Sequence, residues 1–255
     1  MVMAREHSAT WHRYEAKYVV SEQKAARIRA FCRANLSMDP YCAGRADARY
    51  PIHSIYLDSP EYQFLRGTLD KHAERAKLRI RTYRDPRAPA GDQAAFFEIK
   101  RKSHGVIYKT RAKVASDLAD ALMTFDGAAV FAASGHEAAR ANLNKFLDLR
   151  HRARANPIVG VYYTREAYQS DSADRVRISF DRDLHCGLLA GPRSRECAMW
   201  WPLGVAGVIL EIKFTNTFPF WLLDLIHRDE MQRRGVCKYL LCAQVVGAGR
   251  RRAFA

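Results

Sequence analysis

Lys77-Leu78-Arg79-Ile80-Arg81-Thr82-Tyr83 decides the fold. Cations and apolar residues alternate with a period of two, which is the period of a β-strand and not of a helix. One face of this strand is therefore strongly basic and the other apolar. The pattern recurs along the chain. Arg13, Glu15 and Lys17 lie near Tyr14 and Tyr18, Glu98 and Lys100 alternate with Phe97 and Ile99, and Glu211 and Lys213 alternate with Leu210, Ile212 and Phe214. Lys109, Arg111 and Lys113 follow a turn expected at Ser103-His104-Gly105, and Arg175 and Arg177 precede Ile178 and Phe180. Ser54–Asp58 and Val161–Arg165 read as further strands of the same kind.

Helices are expected between the strands. Glu22–Asn35 follows a Ser21 cap, Pro60–Lys71 has proline in its first turn, Asp117–Phe125 follows Ser116, and His136–Arg150 follows Ser134. Phe220–Arg228 follows Pro219, and Lys238–Val246 is expected to end near Gly247. Hairpin-rich antiparallel strands with helices packed outside define an α+β fold. No Gly/Ser/Pro-rich linker divides the 255 residues, so one domain over 13–247 is expected, with flexible ends at 1–12 and 248–255.

The formal net charge of +15 and a pI near 9.8 call for a polyanionic partner. A solvated strand face would account for any one basic segment. It accounts less well for arginine and lysine on strand after strand, because like charges on neighbouring strands repel. At about 4 Å and an effective dielectric of about 20, each such pair costs on the order of 4 kcal/mol before screening. A sheet closing around a chain of phosphates would offset that cost. The embedded Glu15, Glu98 and Glu211 admit two readings: salt bridges to neighbouring cations, or ligands of a divalent metal placed between carboxylate and phosphate.

Other chemistry has less support. Six cysteines show no CxxC spacing, nine histidines form no HExxH or HxH pair, and no glycine-rich phosphate loop or GxSxG elbow is present. Few aromatic residues interleave with the basic ones, so no nucleic-acid partner is expected. No apolar stretch reaches the roughly 18 residues of a membrane span. A reducing, cytoplasmic setting is expected. The cluster Arg150-His151-Arg152-Ala153-Arg154 reads as a helix C-terminus with solvated cations.

Six motifs in order resemble the VTC domain of the CYTH or triphosphate tunnel metalloenzyme superfamily. They are Arg13–Tyr18, Ser54–Ser59, Lys77–Tyr83, Phe97–Lys102, Ile209–Phe214 and Cys237-Lys238-Tyr239. The resemblance implies a closed antiparallel tunnel of eight strands that uses ATP to build inorganic polyphosphate with Mn²⁺ or Mg²⁺. It implies phosphate contacts from Lys17, Arg79, Arg81, Lys100, Lys109, Arg165, Lys213 and Lys238, with Glu211 holding the metal. Arg111 and Arg177, on the same basic faces, are further phosphate-binding candidates, and a small register shift would exchange Lys109, Arg111 and Lys113. Glu15 and Glu98 are the further metal candidates. Arg79, Arg81, Lys100, Lys213 and Glu211 would carry catalysis by positioning and charge. Two departures stand out: Arg13 replaces the first glutamate of the ExExK pattern of hydrolytic relatives, and Cys237 replaces the usual serine. A polymerase, a triphosphatase and a non-catalytic polyphosphate-binding module all remain open, as does a separate membrane protein that exports the product.

Overall fold

The computed structural model describes residues 13–84, 94–104, 106–124, 137–170, 175–215 and 218–253. The expected turn at Gly105 and the cap at Ser134 lie outside the described residues. The described residues form ten strands: β1 Arg13–Val20, β2 Ser37–Met38, β3 Tyr50–Asp58, β4 Glu74–Thr82, β5 Ala95–Ser103, β6 Val106–Val114, β7 Asn156–Gln169, β8 Arg177–Leu189, β9 Cys197–Pro202 and β10 Val208–Thr215. The described helices are α1 Glu22–Asn35, α2 Gln63–Leu69, α3 Ser116–Met123, α4 Glu137–Arg152, α5 Phe220–Arg228 and α6 Lys238–Ala253. Every strand pairing is antiparallel, so the α+β expectation stands.

Eight strands run in the order β1-β10-β8-β7-β3-β4-β5-β6, with β2 added to β7 and β9 to β8. The expected closed eight-stranded tunnel needs correction. Among the described residues no ladder joins β1 to β6, so the sheet curls without closing. Side chains and a loop span the seam instead. Lys100 on β5 reaches Glu15 on β1 at 2.8 Å, and Lys77 on β4 donates to the Cys237 sulfur at 3.1 Å. Part of β1's outer edge is covered by the stretch before α6, where Arg234 N–H donates to the Lys17 carbonyl at 2.8 Å and Tyr18 bridges to Arg233.

The outer face of the sheet is apolar, as the alternation demands. Leu78, Ile80, Phe97 and Ile99 pack with Phe146 and Leu143 of α4. Ile212, Leu210 and Phe180 pack with Ile28 of α1 and Leu222 of α5. A third cluster lies on the inner face, where Tyr239 and Cys242 of α6 pack against Tyr56 of β3, Val159 and Val161 of β7 and Cys186 of β8. The rest of the inner face keeps the charges.

Several helix ends differ from expectation for local reasons. α2 begins at Gln63, not Pro60, because the Asp58 carboxylate accepts from the N–H groups of Phe64 and Leu65 at 2.9 and 2.8 Å and so caps the helix from the strand. Tyr62, at φ +57°, makes the turn just before it. α6 runs past Gly247 to Ala253. Arg150 corrects the solvated-cluster expectation: it is fully buried and donates to the carbonyls of Ala155, Leu122 and Met123 at 3.2, 2.8 and 2.7 Å. These include carbonyls at the end of α3, which have no partner within the helix. Burial pushes the Arg150 pKa down to about 10.

Two substitutions test this arrangement by chemical denaturation. Leu78→Ala should cost about 2–5 kcal/mol through the cavity it leaves. Arg150→Met should cost about 3 kcal/mol by stranding three buried carbonyls. Neither should alter anion binding inside the sheet, and an Arg150→Met protein as stable as the parent would remove its bracing role.

Candidate functional site

The curled sheet encloses about 100 Å³ of free space. Lys17, Lys77, Arg79, Arg81, Lys100, Arg165, Lys213 and Lys238 line it, against only two carboxylates, Glu15 and Glu211. Eight cations and two anions around one small cavity give it an excess of positive charge that suits an anion. Strand register explains the convergence. Lys17 lies opposite Glu211 and Glu15 opposite Lys213 across β1 and β10, while Lys77 lies opposite Lys100 across β4 and β5. Lys238 arrives separately, from the first turn of α6.

The interior is held by ion pairs. Glu211 accepts from Arg165 Nη2 at 2.9 Å and pairs with Lys213 at 3.3 Å. Burial alone would raise its pKa, but Lys213, Arg165, Lys17 and Lys238 hold it well below the ordinary value. Glu15 pairs with Lys17 at 3.0 Å and Lys100 at 2.8 Å. Burial and the facing Glu211 push its pKa up, yet Lys17, Lys100 and Lys213 leave it lowered. Behind them sits Asp181, fully buried, which accepts from Arg165 at 2.6 and 2.8 Å and from Lys238 at 2.6 Å. Its pKa is lowered, since Arg165 and Lys238 outweigh burial.

Nine of the thirteen expected phosphate and metal residues, Glu15 and Lys238 among them, meet at this cavity; four do not line it. Glu98 is buried away from the lining and binds Arg79 at 2.7 Å, Lys109 at 2.6 Å and Arg111 at 3.2 Å. Burial would raise its pKa, but Arg79, Arg81 and Lys109 hold it far below the usual range. Burial likewise pushes Lys109 down to about 8 despite Glu98. Lys109 and Arg111 thus lie on one face of β6 and share one carboxylate. Arg177 pairs with Asp39 at 2.7 Å and donates to the Tyr50 hydroxyl at 3.2 Å.

The cavity also contains residues that the sequence reading did not single out. Lys77 is one further step of the alternation that reaches Arg79 and Arg81, so its signal was present. Tyr163 accepts from Arg81 at 3.3 Å, and Tyr56 accepts from Arg79 at 3.3 Å. Tyr56 stacks on Tyr239 at 4.7 Å, and Tyr239 donates to Asp58 at 2.6 Å. The Asp58 cap therefore braces the arginine row through two rings. Arg81 has neutral partners, Ser54 at 3.2 Å and Tyr163, so its buried charge favours an anion. Lys77 and Lys17 lower the pKa of Cys237 against its burial.

A divalent cation fits this donor set in a limited way. Among the described residues no cluster of three or more His, Cys, Asp or Glu is arranged to hold a metal. Glu15 and Glu211 nevertheless face one cavity and repel each other. One or two carboxylates completed by phosphate oxygens and water is the usual environment of Mg²⁺. Glu98, already held by three cations, stands apart from that pair.

No curated protein sequence matches the chain. Among solved structures, a candidate adenylyl cyclase of Hippeastrum, described as having a dominant triphosphatase activity, superposes with a TM-score of 0.52 at 10% identity, over 92% of this chain and 96% of that one. A candidate adenylate cyclase of Bacillus halodurans gives 0.48 at 13% identity, over 88% and 92%. The first shows that the fold is shared. The family model of the VTC domain matches residues 12–246, nearly the whole chain and all six motifs. The chain belongs to the VTC domain family.

Proposed function

We propose that this protein is a metal-dependent phosphotransferase that moves the γ-phosphate of ATP onto the end of an inorganic polyphosphate chain. The observation that carries this reading is the enclosed cavity with its eight cations and two carboxylates. Phosphoryl transfer leaves a protein little covalent work; positioning and charge stabilisation supply the rate. Arg79 and Arg81, two residues apart on one strand face, are placed to grip adjacent phosphates. Lys100 and Lys213 face them from β5 and β10, and Arg165 and Lys238 are held in place by Asp181. Glu211, with Glu15 beside it, would hold Mn²⁺ or Mg²⁺, which when bound would neutralise negative charge on the transferring phosphoryl oxygens. The small cavity limits water, the competing acceptor. Where water wins, the same residues make a triphosphatase, a reading favoured by the activity described for the Hippeastrum neighbour.

Incubation with ATP and Mn²⁺ separates the two outcomes: long polymer with ADP supports the polymerase, and free phosphate alone supports the triphosphatase. Glu211→Gln keeps its size but loses its charge, so turnover should fall by at least about 100-fold with the fold retained. Activity within a few-fold of the parent would remove Glu211 from this role.

Anion binding is testable without turnover. Tripolyphosphate at about 1,000 times its dissociation constant should stabilise the folded state by about 4 kcal/mol, read as a raised melting temperature. It should exceed orthophosphate at equal ionic strength. Lys100→Ala with Lys213→Ala should abolish most of the gain. Arg152→Ala with Arg154→Ala should leave it intact, since both are exposed and Arg152 pairs only with Asp148 among its described salt bridges. A shift that disappears with the helix-end pair would place the anion on the outer surface.

The lowered carboxylates also set a pH dependence. Glu98, Glu211, Glu15 and Asp181 all sit below their ordinary values. Their stabilising contribution is therefore present above the unfolded values, about 3.9–4.3, and is lost as pH falls toward the folded ones. The melting temperature should drop between about pH 5 and 3. Glu98→Gln should lower stability at pH 7 and flatten that acid slope; an unchanged slope would mean Glu98 is not held ionised by its three cations.

A further inference from the structure

The two ends of the cavity differ in chemistry. At one end the space widens to about 440 Å³ beside Lys71, Arg75, Lys102, Arg233 and Arg234, and no aromatic ring lines it. At the other end the inward row of β4 reaches its last cation. Lys77, Arg79 and Arg81 are followed by Tyr83, in the bend just after β4 ends at Thr82.

Tyr83 belongs to a cluster of rings. Tyr41 stacks on it at 5.6 Å and 14°, Tyr50 lies 6.0 Å away, and Phe96 meets it edge-on at 5.5 Å. Cations outside the cavity lining hold these rings in place. Arg111 donates to the Tyr83 hydroxyl at 2.8 Å and lies 3.7 Å over the Phe96 ring. Arg177 donates to the Tyr50 hydroxyl at 3.2 Å and pairs with the buried Asp39, whose other oxygen accepts the Tyr41 N–H at 2.9 Å. The cluster is thus braced from beneath, while its outermost ring, Tyr41, is 58% exposed. An exposed ring stacked on Tyr83, just past the end of a row of inward cations, suits a flat heteroaromatic group attached to a phosphate chain.

We propose that the tyrosine end seats the base of a nucleoside triphosphate, with its phosphates running from Arg81 toward Lys77. The terminal phosphate then faces the wide lysine- and arginine-rich end, where a polyanionic acceptor has room. Donor and acceptor enter from opposite ends and meet between Arg79 and Lys77. This assignment rests on the reading of the cavity as a triphosphate site. It gives Arg111 and Arg177 a part in holding the base seat through Tyr83 and Tyr50.

Calorimetric titration with a non-hydrolysable ATP analogue and with tripolyphosphate, both with Mg²⁺, tests the assignment. Tyr41→Ala should weaken the ATP analogue about tenfold, the size of one base–aromatic stack, and leave tripolyphosphate within about twofold. Tyr41→Phe should restore nucleotide binding. If Tyr41→Ala leaves the analogue unchanged, or weakens both ligands alike, the base seat is wrong. The triphosphate reading has its own control in Lys213→Ala. If tripolyphosphate binds the parent and is weakened by Lys213→Ala, that reading stands whatever Tyr41→Ala does. If the parent binds neither ligand, the triphosphate reading fails and takes the base seat with it.

Discussion

Like charge crowded into a small volume is the constraint on which the rest of the structure depends. Lysines and arginines from five strands and one helix point at one cavity, and their mutual repulsion works against the curl of the sheet. Carboxylates offset it. Glu15, Glu211, Asp181 and Glu98 each hold two or three cations, and each is kept ionised by them against the cost of burial. A buried ion pair of this kind contributes little net stability over an apolar pair, but removing one partner is costly. The interior therefore holds cations in fixed positions without relying on them to drive folding. That task falls to the outer face, where the apolar half of the same alternation packs beneath α1, α3, α4 and α5, and to the apolar cluster that α6 forms within the curl.

The carboxylates occupy the places that an anion and its counter-ion would take. Arg165 illustrates this: one edge of its guanidinium is bound by Asp181 and another nitrogen by Glu211. A phosphate reaching the cavity must share these cations or displace a carboxylate from them. Arg81 and Lys77, whose hydrogen-bond partners are hydroxyls and a sulfur, present the least such competition. The electrostatic landscape is thus uneven along the row.

Much of this was legible in the sequence because a period of two names both the element and the face. The strands around Arg79, Lys100, Lys213 and Arg165 follow from alternation, and α1 and α5 have the bounds that their caps predict. Depth along a face is not encoded in that period. Glu98, Lys109 and Arg111 share the inward side with Glu211 and Lys213 but lie off the cavity, and Arg177 ends on Asp39 and Tyr50. β2 and β9 are short additions whose pairing depends on distant strands. Arg150 reads as one solvated cation among several, because only tertiary packing brings the end of α3 to it. The missing β1–β6 ladder is equally silent, since edge and interior strands share one pattern.

That unladdered seam has a mechanical consequence. A barrel closed by hydrogen bonds all round has a circumference set by strand number and stagger, and widening it means breaking a ladder. Here the circumference is interrupted at one line, crossed by the Lys100–Glu15 pair and the Lys77–Cys237 contact. Both are made by long, flexible lysine side chains that can lengthen, shorten or exchange partners without disturbing a strand. The wall can therefore give in width while remaining stiff along its length, and a thicker occupant would part the seam without unzipping the sheet.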